Sequence, residues 1–332
     1  MIHAASFVLL SFVLAVTVVA GGGQTARSLN ISIVRNRSEG PAIMEREGLK
    51  ARLAGQGCTI VSSTVVQLTP EEDRQYGAWN KTALESRHLG RLVGAASGAD
   101  LTIGLLTNCS DLLGMLAGLQ HPDPAAGSDR RPGAVGLAGV KPRRVGLVWI
   151  DAHADFNTPE TTLSGMLGGM PVAIAAGMCL TRHRLITGLD PALPTRYIVM
   201  AGVRDVDPLE QELLDRSECQ MLTVDDLRRR PEAVSRQIDR LAGLTDVIYV
   251  HIDMDVLDPA EVTGHPLTAP EGPTSVELAA ALTAMFRNPT VAALGIASLP
   301  YGERDKGGLS LKAAYRLIEG AVAGVQGRAS QR

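Results

Sequence analysis

Two segments restrict the fold more than anything else in the chain. Val145-Gly-Leu-Val-Trp-Ile150 is a continuous apolar run that leads directly into Asp151-Ala-His153-Ala-Asp155. Val247-Ile-Tyr-Val-His-Ile252 is another, and it leads into Asp253-Met-Asp255. Strands that are apolar on both faces belong in a parallel sheet covered by helices on either side. Leu29–Val34, Cys58–Val65, Leu101–Leu106, Tyr197–Ala201 and Val291–Ala297 also read as strands. Helical spacing at Ala42–Ala54, Thr82–Ala96, Leu112–Leu119, Val276–Phe286 and Leu311–Ala323 alternates with them. The expected fold is α/β: one parallel sheet flanked by helices on both faces. It is read as a single domain over residues 29–326, with a tail at 327–332. The Gly-, Pro- and Asp-rich stretch His121–Lys141 reads as a surface loop within that domain, because strand–helix alternation resumes after it.

The same two segments carry the chemistry. In extended chain, alternate residues point the same way, so Asp151, His153 and Asp155 form one set and Asp253 and Asp255 another. Both sets follow the C-terminal ends of parallel strands, where open α/β sheets place their sites. Four carboxylates left unpaired there would repel and raise one another's pKa. A bound cation removes that conflict, and oxygen donors with an imidazole suit Mn²⁺. A single Asp-x-Asp is more often a turn or a helix cap, so the competing reading is a solvated acidic rim.

Bulk properties exclude several alternatives. The net charge is −3 and aromatics are 3%, so neither nucleic acid nor an anionic membrane is an expected partner. Cys58, Cys109, Cys179 and Cys219 form no CxxC pair, which argues against a structural zinc site. Four cysteines in 332 residues do not make a disulfide scaffold, and buried thiols are the default. Residues 1–28 hold an apolar run, Ala4–Ala20, that looks like a signal-peptide core or a short anchor, although Met1-Ile2-His3 lacks a basic residue. Export or anchoring therefore stands beside an upstream mis-start or a short buried element.

With these residues set out, the chain resembles the ureohydrolase family of arginase, agmatinase and formiminoglutamase. The resemblance rests on Asp151-Ala-His-Ala-Asp-Phe-Asn-Thr-Pro159, Ser164-Gly165, Gly202-Val-Arg-Asp-Val-Asp-Pro208 and Asp253-Met-Asp-Val-Leu-Asp-Pro259, with Glu39-Gly40-Pro41 near the first strand. It covers most of the chain from about residue 31. It implies a three-layer α/β/α fold, a cytoplasmic homo-oligomer, a small guanidino substrate and two Mn²⁺ ions per chain. Asp151 and Asp253 would bridge the ions. Asp155 would complete one ion, and His153 and Asp255 the other. A metal-bound hydroxide, oriented by Asp155, would attack the guanidinium carbon and release urea or a related product and an amine. Asn157 and Ser164 fall where arginase binds the α-carboxylate. Asp205, Asp207 and Glu210 fall where it handles the α-amino group, although these acids could equally form a loop salt-bridged to Arg204.

The pattern is broken in several places. The family's Gly-Gly-Asp-His-Ser is here Leu106-Thr-Asn-Cys109-Ser110, so Cys109 takes a metal-ligating His position. Either Cys109 is a sixth ligand, too soft for Mn²⁺ and leaving one ion weak, exchanged or missing, or it is a small buried hydrophobe. Gly168 stands where arginase has a proton-shuttling His, Met166 where it has a substrate-contacting Asn, and Ala297 where a Glu pairs with the guanidinium. His265, in Thr263-Gly-His-Pro266, falls near the guanidinium, as a general acid–base or as a structural residue. His121, His183 and His251 have no comparable context. The expected activity is Mn-dependent hydrolysis of a linear C–N bond in a guanidino or amidino compound, with arginine or a modified arginine as candidate substrates. The alternatives are a mononuclear, deacetylase-like amide hydrolase and a non-catalytic metal-binding homologue.

Overall fold

The computed structural model describes residues 28–123 and 141–328. The apolar segment at 4–20, most of the 121–141 loop and the last four residues of the tail lie outside the described residues. Eight strands form one sheet: β1 Leu29–Arg35, β2 Cys58–Val65, β3 Leu101–Leu105, β4 Val145–Ile150, β5 Ile198–Ala201, β6 Gln220–Leu222, β7 Val247–Asp253 and β8 Val291–Ala297. Their order is β2-β1-β3-β8-β7-β4-β5-β6, and every neighbouring pair is parallel. Parallel pairs need crossovers, so helices cover both faces.

Side-chain alternation splits each central strand between two cores. On one face, Ile150 of β4, Ile248, Val250 and Ile252 of β7, and Leu294 of β8 pack against helices 231–244, 275–286 and 309–327. On the other, Leu147 and Trp149 of β4 and Val247 and Tyr249 of β7 pack under helices 112–120 and 171–175. β4 and β7 are neighbours at the centre. Their C-terminal ends therefore bring the two Asp-rich segments side by side.

Three segments depart from the sequence expectation. The helix expected over Ala42–Ala54 starts at Glu39 and is interrupted by one π-helical turn at Glu45–Leu49, where Gly48 sits at φ 120°. The short edge strand β6 and helix 231–244 are additions to the elements expected from the sequence: the first has three residues, and the second buries a stripe of Ala233, Val234, Ile238 and Leu241. Arg204 does not pair with the nearby acids. Its guanidinium donates to the carbonyls of Gly202, Ala269 and Pro270 and braces that loop.

Helices 78–95 and 112–120 approach closely enough to require glycine at the contact. A Cβ at Gly118 would collide with the Gly90 carbonyl oxygen and come within 2.6 Å of the Val93 Cβ. Gly118→Ala is expected to destabilise the fold by about 2–3 kcal/mol, the usual range for overpacking. A urea-unfolding midpoint unchanged by the substitution would contradict this contact.

Candidate functional site

The C-terminal ends of β3, β4, β7 and β8 converge on one cavity of about 360 Å³. Asp151, Asp155, Asp253 and Asp255 are all buried in its floor. His153 Nδ1 lies 3.3 Å from both Asp151 Oδ1 and Asp255 Oδ2. Cys109, in the turn after β3, brings its Sγ to 2.6 Å from Asp253 Oδ2 and 3.7 Å from Asp151 Oδ2. His265 Nε2 is 3.6 Å from Asp253 Oδ1, and its Nδ1 is 3.9 Å from Asp255 Oδ2.

These side chains form three overlapping groups whose donor atoms lie within 4.8 Å of one another: Cys109–Asp151–Asp253, Asp151–His153–Asp255 and Asp253–Asp255–His265. Asp151, Asp253 and Asp255 each belong to two groups, as residues shared between neighbouring ions would. The donor set fits divalent cations. Asp155 sits against the thiol side of the cluster but falls outside the three tightest groups.

The electrostatics point the same way. Burial and the surrounding carboxylates push Asp151 and Asp155 far above the ordinary range and Asp253 to about 7. Burial also pushes Asp255 up, but the hydrogen bond and charge of His153 overcome it and hold the carboxyl low. Burial works against protonation of His153, yet Asp151 and Asp255 hold its pKa at about 11. These are crowded buried carboxyls held largely protonated, with Asp255 ionised beside the His153 imidazolium, and a divalent cation would displace those protons and favour the ionised ligands.

Local chemistry fixes the geometry. Asp155 adopts φ 49°, a strained conformation for a non-glycine residue. The loop is held there from both sides: Asp155 O accepts from Val172 N, and Phe156 N donates to Glu210 Oε1 at 2.6 Å. Glu210 Oε2 also accepts from Asp207 N, completing a capping box at the start of helix 208–215. Trp149 stacks on His251 and donates its indole N–H to His153 O, tying the β4 loop to the core. Asp111 accepts from Thr107 N and Asn36 Nδ2 and so sets the turn that carries Cys109.

The remaining sequence candidates also line the cavity. Asn157 donates to Asp207 Oδ2 and accepts from Thr161 Oγ1. Ser164 Oγ accepts from Met166 N. Asp205 pairs with His153 in a short parallel bridge and keeps its side chain 69% exposed. His183 and His251 are buried, and His121 contacts the Asp190 carbonyl oxygen. Ala297 is fully buried at the end of β8 and offers no polar group.

Sequence reading missed Ser298. Its hydroxyl donates to Asp253 Oδ2 at 2.5 Å from a backbone at φ 61°. Its position just past β8, beside β7, was the available signal, but using it required the strand order.

Residues 132–320 match the model of the arginase family. The chain is also 30% identical to an arginase of Entamoeba histolytica over 241 residues, covering 70% of this chain and 75% of that one. The chain belongs to the arginase family. It is accordingly a hydrolase of C–N bonds in linear amidines, in a metal-dependent family, and it carries Asp, His and Cys groups that could hold a metal ion. A second relative, the N(omega)-hydroxy-L-arginine amidinohydrolase of Streptomyces lavendulae, is 28% identical and covers 74% of each chain. The arginase-family fold is shared with solved structures. Bacillus caldovelox arginase superposes with TM-score 0.71 at 23% identity, covering 89% of this chain and 98% of that one. The formimidoylglutamase of Bacillus subtilis gives 0.62 at 15% identity, covering 90% and 87%.

Proposed function

We propose that this arginase-family enzyme hydrolyses a small guanidino or amidino cation with two divalent ions held at the floor of the cavity. The observation that carries this is the overlap of three ligand groups through Asp151, Asp253 and Asp255. One ion position falls to Asp151, His153, Asp253 and Asp255, which suit Mn²⁺. The other falls to Asp151, Asp155, Asp253 and Cys109. Divalent ions there would lower the pKa of a water for attack on an amidine carbon. Asp155, in the cavity floor, would hold and orient the attacking water. Asp205, open at the cavity mouth, draws in the cation. Ser164 keeps room to meet the substrate, while Asn157, Asp207 and Glu210 act on it through the loops they tie down.

His265 takes the role of general acid. Leu267 N donates to His265 Nδ1 at 3.3 Å, and Nε2 points toward Asp253 in the cluster. The neutral ring would take up the proton that the attacking water gives up and, as an imidazolium, return it to the departing amine. His265→Gln is expected to lower kcat about 10²–10³-fold on an alkylguanidine, within the usual range for a lost general acid. The loss should be far smaller on an N-arylguanidine, whose aniline leaves without help. Equal losses on both, or loss of bound metal, would remove the general-acid role.

Urea release across a guanidine panel, run with Mn²⁺, with Zn²⁺ and without metal, tests the main reading. Cys109 also favours a second reading, a single-ion amide hydrolase. Cleavage of acylated amines with one ion per chain and no urea release would establish it.

A further inference from the structure

Beside Asp205, the mouth of the cavity carries a group of apolar side chains. Leu163, Met166 and Leu267 line it and are 76%, 52% and 49% exposed. Three large apolar side chains left in water around one opening mark a surface that a ligand covers. Several groups that could have received the carboxylate of an amino-acid head are engaged within the protein, while Ser164 and Asp205 stay open. The Gly165 and Met166 N–H groups donate to the hydroxyls of Thr162 and Ser164. Asn157 is held between Asp207 and Thr161. Among the described residues, no lysine or arginine lines the cavity, whereas seven acidic residues do. A carboxylate entering here would meet several acidic side chains, and the one imidazolium beside them, His153, is already paired with Asp151 and Asp255.

We propose that the substrate is a guanidine or amidine whose tail is apolar, lies against Leu163, Met166 and Leu267, and carries no carboxylate. This rests on the hydrolase reading above and specifies its substrate class. The cationic head enters the acidic floor, and the tail covers the rim. Burial of several methylenes accounts for affinity that an α-amino acid head would not gain here.

The test uses the metal-loaded full chain with N-butylguanidine, 4-guanidinobutyrate and L-arginine. KM for butylguanidine is expected to be at least about tenfold below that of either carboxylate-bearing compound, a ratio that a few well-packed methylenes can supply. Leu163→Ser/Met166→Asn should raise KM for butylguanidine about tenfold and narrow that preference, with kcat changing much less. A KM for arginine or guanidinobutyrate equal to or below that of butylguanidine overturns the proposal. If none of the three releases urea, the hydrolase reading fails instead. The tail preference is then decided by calorimetric titration of the same compounds: tighter binding of butylguanidine supports it, and equal or weaker binding overturns it.

Discussion

Asp253→Ala is expected to abolish activity and metal retention together. Asp253 links the thiol side of the cluster to its imidazole side. Its Oδ2 accepts from Cys109 and Ser298, its Oδ1 accepts from Asp255 N, and His265 lies 3.6 Å away. It belongs to the ligand groups on both sides of the site. Losing it removes a ligand from each proposed ion position, so kcat should fall at least about 10³-fold, corresponding to several kcal/mol of lost transition-state stabilisation. Metal content by elemental analysis should fall in parallel.

Asp253→Asn separates chemistry from folding, because its amide oxygen still accepts hydrogen bonds while its charge is gone. Burial and neighbouring acids push Asp253 up to about 7 in the folded chain. A carboxyl with a raised folded pKa contributes stability at low pH, and that contribution is lost as pH rises through the folded value. At pH 8, metal-free Asp253→Asn should therefore melt no lower than the metal-free parent. With metal added, the parent should gain stability that the variant does not. Full activity in either variant would sink the site assignment.

Cys109→His is expected to raise Mn²⁺ affinity about tenfold or more, since it replaces a soft sulfur with an imidazole at a position facing two buried carboxylates. In the metal-free protein the Cys109 thiol is pushed far above its ordinary pKa, by burial first and then by Asp253, Asp155 and Asp151. An ion binding there must displace that proton, so softer ions that bind sulfur strongly gain an advantage. The parent should therefore prefer Zn²⁺ or Co²⁺ at this position. The Co²⁺ form should show sulfur-to-cobalt charge-transfer absorption that is absent from Cys109→His and Cys109→Ser. Equal Mn²⁺ affinity in parent and variant, without that absorption, would make Cys109 a packing residue only.

Much of the fold was legible because central strands buried on both faces leave unbroken apolar runs. β4 and β7 are such runs, and β2 and β8 lie where β-branched or apolar stretches placed them. The helix at Glu39–Gly55 was only partly readable, because its π-helical turn depends on how the segment packs. The acidic cluster was legible for a different reason. Alternation along an extended chain puts Asp151, His153 and Asp155 on one side, and the strand ends supply the common edge. His265 and Cys109 came from position within a family pattern. The structure adds their distances to the carboxylates and the Leu267 N–H contact at His265 Nδ1.

The sequence alone therefore determined the layered fold and brought out the candidate ligand residues, because both follow from short-range periodicity and from chemistry attached to strand ends. Only the tertiary structure decided how the groups share work. The strand order places Ser298 against Asp253. Glu210 uses both oxygens to hold the Asp155 loop and a helix start. Arg204 turns to three carbonyls instead of the acids. Leu163, Met166 and Leu267 meet around one opening although about a hundred residues separate the first from the last. Partnerships of this kind depend on direction and long-range proximity, which a linear pattern of residue types does not contain.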